Sequence, residues 1–226
     1  MKSQSALLRP VAAVVLGLTA AGCSGLFHSG ARPEQVYFLR ASAAPREADR
    51  PAVESSVRVG HPQAQPGLDS PRIVLVQSDR RMSFYTGSRW PAPVPALVET
   101  LAVETLRASG SWKSVEDSAS PFPSDYILQI VVRRFEADYT SGGAAPQVYV
   151  KLDCIIGRRE GREVIASFVA EGSSAAARNR LGDVVAAFES AANAALRSLS
   201  DQALEVVQAA HRNGRAGTGM LGGQSP

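Results

Sequence analysis

Histidine and cysteine are both scarce: the 226-residue chain has three of the one and two of the other. The histidines, His28, His61 and His211, fall in segments that read as tether, Pro-rich loop and tail. A Ser-His-Asp triad, a zinc site or a histidine base would have to stand on irregular chain, and none is assigned. If Cys23 is consumed by lipid attachment, Cys154 is left alone and no disulfide framework can form. Cys154 falls on the apolar side of an alternating stretch, as a core thiol does. Long apolar runs are missing too. The uncharged stretch 11–21 would, as a helix, reach about 16 Å against a hydrocarbon core of about 30 Å, too short to span.

Neither sign of charge dominates, with 24 basic and 21 acidic residues. The pairs Arg80-Arg81, Arg133-Arg134 and Arg158-Arg159 are scattered, which excludes a nucleic-acid footprint by sequence. The carboxylates Glu116-Asp117 and Glu136 with Asp138 read as solvated strand ends rather than a glycosidase pair. The Gly-rich run 214–223 lacks the Lys-Ser/Thr and the preceding strand of a phosphate loop. No catalytic residue, metal ligand or cofactor site is assigned.

What is present begins at the N-terminus. Lys2 and Arg9 precede the uncharged stretch, which ends in Ala20-Ala21-Gly22-Cys23. This layout is that of an export signal over residues 1–22, and its end resembles a lipobox, with Cys23 as the lipidated residue. Ala20 stands where leucine is usual, and Leu18 lies two residues further back. The alternative is an ordinary secretory signal cut at Ala-x-Ala, with Cys23 a bystander. Ser24 is not the aspartate that holds enteric lipoproteins at the inner membrane, so the expected address is the periplasmic face of the outer membrane. Without Lys2 and Arg9 the mature chain carries 22 basic and 21 acidic residues. Residues 23–34 read as a flexible tether of about 15–20 Å.

The remainder predicts one domain over 35–210 and a disordered tail over 211–226. Strands are expected at 36–39 and 73–76, a short arm at 82–86, a strand at 112–115, and a meander at 126–135, 148–156 and 164–170. In the stretch 41–70 only Val57-Arg58-Val59 looks strand-like. Val94, Leu97, Val98, Leu101 and Leu106 recur at helical spacing, and a second amphipathic pattern runs over 181–209. The fold class is α+β: a mixed, largely antiparallel sheet with two amphipathic helices packed on one face. Phe84, Tyr85 and Trp90 cluster beside prolines 91, 93 and 95. They form either a core-and-corner cluster or a contact surface, and these three are the candidate partner-binding residues.

Tyr37-Phe38-Leu39, Ser70-Pro71-Arg72-Ile73-Val74, Trp90-Pro91-Ala92-Pro93-Val94, Asp125-Tyr126-Ile127-Leu128 and Phe135-Glu136 occur in that order, ahead of an Ala-rich last helix. In these landmarks the chain resembles the ABC-type transport auxiliary lipoproteins, which include the paraquat-inducible protein C type, over most of 35–208. It departs from them at Pro93, where glutamate is frequent, and in the long loop at 45–70. The resemblance implies a non-enzymatic lipoprotein without a cofactor. Its partners would be an MCE-domain protein and an ABC transporter permease and ATPase, moving lipids or hydrophobic compounds; a homo-oligomer is compatible with it. The rival readings are a structural lipoprotein supporting outer-membrane barrel assembly and a periplasmic enzyme.

Overall fold

Alternating apolar residues from Tyr126 onward build the strand that organises the sheet. In the computed structural model, which describes residues 33–42 and 52–220 with side chains as far as residue 213, the elements follow in chain order. They are β1 (Gln35–Val36), β2 (Val53–Val59), β3 (Gln63–Ala64), β4 (Arg72–Val76), β5 (Met82–Arg89), α1 (Val94–Ala108), β6 (Trp112–Glu116), β7 (Tyr126–Asp138), β8 (Gln147–Arg158), β9 (Glu163–Ala175) and α2 (Leu181–Met220). Cys23, the export signal assigned to 1–22 and the tether up to residue 32 lie outside the described residues, as do 43–51 and 221–226.

Along β7 the buried side chains are Tyr126, Leu128, Ile130 and Val132, and then Phe135 and Ala137. The change of parity has a structural cause. The register with β8 shifts between Val132 and Arg134, a bulge that inserts one extra residue and turns both arginines away from the core. One edge of β7 takes β8 along almost its whole length. The other edge takes three short parallel neighbours in succession: β2 at 126–128, β3 at 131–132 and β4 at 137–138.

The expected meander is present, as β7, β8 and β9 pair antiparallel in sequence order. The sheet as a whole is mixed. Among the described residues it has nine strands, and the pairings β1–β5, β2–β6, β2–β7, β3–β7 and β4–β7 are parallel. Hairpins dictate antiparallel neighbours, but the strands on the second edge of β7 come from distant parts of the chain. Nothing in their local pattern fixes their direction.

Pro93 and Pro95 open α1, where a missing N–H costs nothing. Gly110, at φ +59°, turns the chain out of it and donates its N–H to the Arg107 carbonyl. Helix α2 packs on β9 backbone to backbone: a Cβ added at Gly172 would fall on the carbonyl oxygen of Ala191 and 2.7 Å from the Ala195 nitrogen. The Ala-rich stripe of α2 is therefore a packing surface, with Ala187, Ala191 and Ala195 buried beside Val184, Phe188 and Leu199. The helix also runs on to Met220, past the point at 211 where a disordered tail is expected. Its 40 residues span about 60 Å.

Candidate functional site

Of the three aromatic residues singled out as a contact surface, Trp90 is fully buried. It meets Phe188 of α2 edge to face at 5.2 Å between ring centroids and Phe135 of β7 at 6.0 Å, while Phe135 and Phe188 stack at 5.2 Å. Trp90 thus holds strand, sheet and helix together and presents nothing to a partner; the contact expectation is corrected for this residue. The adjacent prolines do not bring it to the surface, because its N–H bonds the Pro71 carbonyl at 2.7 Å and draws the strand end inward.

Phe84 and Tyr85 are half-buried on β5. The Arg72 guanidinium lies 4.7 Å above the Phe84 ring. The Tyr139 hydroxyl donates to Asn179 Oδ1 at 2.7 Å, so the 2.8 Å bond between the two tyrosines is donated by Tyr85. Burial, and then the bond to Tyr139, raise the Tyr85 phenol well above its ordinary pKa.

A different region carries the cavities. On β8 the side chains of Val148, Val150, Leu152, Cys154 and Ile156 enter the core, and Tyr149, Lys151, Asp153 and Ile155 face the other way. That open face is cross-linked at one end: Arg133 Nε to Asp153 Oδ2 at 2.5 Å, Lys151 Nζ to Glu171 Oε1 at 2.5 Å, and the Arg134 guanidinium 4.1 Å above Tyr149. Toward the other end it turns apolar. Ile155 and Val169 are exposed there, and with Ile127, Val131 and the Arg133–Asp153 pair they line a groove of about 560 Å³.

A second groove of about 950 Å³ continues around the end of the sheet and shares Ile127, Gln129 and Ile155 with the first. Its polar wall includes Ser55, Ser124, Asp125, His211 and the β8–β9 turn with Arg158, Arg159 and Arg162. Asp125 Oδ2 accepts from the Ser56 N–H and hydroxyl, both at 2.7 Å, and these bonds hold its carboxyl below the usual aspartate range. Arg158 Nη1 pairs with Glu163 Oε2 at 3.1 Å. The Ser124 hydroxyl is buried without a hydrogen-bond partner among the described residues.

His211 lies within α2, 3.3 Å from the Ser55 hydroxyl and with its ring 6.1 Å from that of Tyr126. His61 Nδ1 pairs with Glu99 Oε2 at 2.8 Å. Both histidines therefore have ordered neighbours that their flanking sequence does not announce. Cys154 is buried, and burial together with the Asp153 charge pushes its thiol up to about 12. Among the described residues no group of three or more His, Cys, Asp and Glu side chains could hold a metal ion, and no helix is long and apolar enough to cross a membrane. Sequence reasoning missed the grooves, although one signal was visible: the polar run Tyr149, Lys151, Asp153 is broken by Ile155.

Among the described residues, the fold and its grooves define a mixed α/β domain with a stretch of sheet exposed at Ile155, Val164 and Val169. The chain belongs to the ABC-type transport auxiliary lipoprotein component family, whose model matches residues 37–202. Among solved structures it is similar to protein XCC0632 from Xanthomonas campestris, of the DUF330 family: 28% identity, TM-score 0.73, covering 79% of this chain and 99% of that one. It is also similar in fold to an uncharacterized protein at 13% identity and TM-score 0.58, covering 78% and 99%. A further likeness is to the hypothetical protein CT253 from Chlamydia trachomatis, at 10% identity and TM-score 0.47, covering 69% and 99%. Among curated proteins, none matches.

Proposed function

We propose that this protein is a lipid-anchored periplasmic accessory component of an ABC transport system for lipids or hydrophobic compounds, acting by binding and docking rather than by chemistry. The family match across 37–202 carries this reading. Cys23 is the lipidated residue, and the domain stands on the periplasmic face of the outer membrane. The partners are the permease and ATPase of the system and an MCE-domain protein. Phe84 and Tyr85, beside the exposed Met82 of the same strand, supply the contact with a protein partner.

The test is a cross-linked pull-down of the full-length protein from fractionated membranes, with palmitate labelling. The wild type takes the label, sediments with outer membrane and captures the ATPase, permease and MCE components; Cys23→Ser loses the label and becomes soluble in the periplasm. Labelling that survives Cys23→Ser, or capture of a barrel-assembly protein in place of the transporter, overturns the reading. Capture undiminished in Met82→Ser/Phe84→Ala removes β5 from the contact.

A further inference from the structure

We infer that the two grooves of the open sheet face form one binding site for an anionic amphiphile, its head held at the β8–β9 turn and its tail lying across the sheet. The inference deepens the transport reading above, and rests on it for the origin of the ligand.

Continuity comes first. The grooves share Ile127, Gln129 and Ile155, and each volume falls within the roughly 300–1,000 Å³ of small-molecule clefts. From the shared wall one branch runs over Val131 and Val169, which offer apolar contact to a hydrocarbon chain beside the Arg133–Asp153 pair that also lines it. The other branch reaches the turn, where charge changes the chemistry.

Of the charges at that mouth, Glu163 is paired with Arg158. Arg159 and Arg162 make no side-chain hydrogen bond or ion pair among the described residues; the carboxylates of Glu160 and Asp125 line the same groove, and Asp125 keeps its charge because its two bonds come from the neutral N–H and hydroxyl of Ser56. A guanidinium is a planar fork matched to phosphate or carboxylate oxygens. A free inorganic anion would use the mouth and leave the apolar branch empty; an uncharged hydrocarbon would do the reverse. A ligand with both parts fills the whole.

The test uses the full chain with Cys23→Ser, which removes the competing attached lipid, and calorimetric titration below micelle concentrations. The probes are decyl phosphate, decanoate, decanol, inorganic phosphate and an acidic peptide. Decyl phosphate or decanoate binds at least about tenfold more tightly than decanol or inorganic phosphate, and their ratio identifies the head as phosphate or carboxylate. Arg159→Ala/Arg162→Ala and Ile155→Asp each weaken that binding about tenfold or more; the exposed arginine pair leaves the melting temperature unchanged, and Ile155→Asp, at a 38% exposed strand position, is compared only where it still melts cooperatively. Equal affinity for decanol or inorganic phosphate, binding of the acidic peptide alone, or folded variants that bind like the parent would overturn the site. The same groove substitutions, made in the chain that keeps Cys23, separate the two readings in the membrane pull-down. Lost amphiphile binding with full partner capture leaves the transport role standing, and intact amphiphile binding without partners leaves only the site.

Discussion

Neighbouring residues of β8 face opposite surroundings. Cys154 and Ile156 are buried in the core, whereas Ile155 between them is exposed in the groove. On the covered side the neighbours are fixed by packing: Val150 sits opposite Gly172, and Gly172 lies against the backbone of α2. On the other side, cross-strand ion pairs stand next to exposed apolar side chains, and the Arg133–Asp153 pair shares a groove with Ile155 and Val169. A single strand thus separates what holds the protein together from what is free to bind, and substitutions on the two sides should report different quantities.

The widest contrast is chemical. In a Cys23→Ser background, Cys154 should resist a maleimide until the protein is unfolded, because it is buried and its thiol is pushed up to about 12. A cysteine introduced by Ile155→Cys, one residue on, should label at once in the native state. Rapid native labelling of Cys154 would break the comparison.

Next in size is Trp90→Ala, expected to lower stability by about 3–5 kcal/mol in urea denaturation, since it removes the ring that meets both Phe135 and Phe188. A full loss of partner capture at undiminished stability would return Trp90 to the contact surface. Gly172→Ala follows, at about 1–3 kcal/mol or more, because the two atoms nearest the methyl group belong to the helix backbone. A neutral result would mean that α2 can slide away from β9.

Asp125, at the rim between the faces, should show itself through pH. Its folded-state carboxyl titrates below the ordinary value, so its stabilisation is present above about pH 4 and lost as the pH falls through the folded-state value. Asp125→Asn should be less stable at neutral pH, and its deficit should close in acid; a deficit independent of pH would remove the carboxylate from the account. The smallest effect is Val169→Ser on the open face, within about 0.5 kcal/mol. A loss comparable to that of Trp90→Ala would mean the face is not open.

These contrasts also show what sequence pattern can convey. The alternation of Val148 through Ile156 marks a strand with one packed face, and β7, β8 and β9 appear in the expected order because consecutive antiparallel strands are joined by short turns. The parallel partners of β7 were not legible. β3 is only Gln63–Ala64, and its neighbour Val131 lies far along the chain. The bulge at Arg133 likewise leaves two adjacent arginines in the sequence with no mark that both turn outward. Trp90 could be read either as core or as contact, since an aromatic residue beside prolines fits both, and only the rings it meets decide. Ile155 and Val169 look like ordinary strand residues, and their exposure depends on no helix among the described residues covering them. Cys23 is legible from sequence alone and lies outside the described residues.

The contact at Gly172 distributes constraint unequally between the two elements that meet there. On the helix side the atoms nearest the place of a Cβ are the Ala191 oxygen and the Ala195 nitrogen, which no substitution can trim, and then the Ala194 methyl at 3.0 Å, which only glycine would remove. Adjustment of fit is therefore left mostly to the strand, at a position already reduced to the smallest residue. The seat of a 40-residue helix is in this sense closed to gradual refinement: residue 172 can stay as it is, or the helix must find another place to rest.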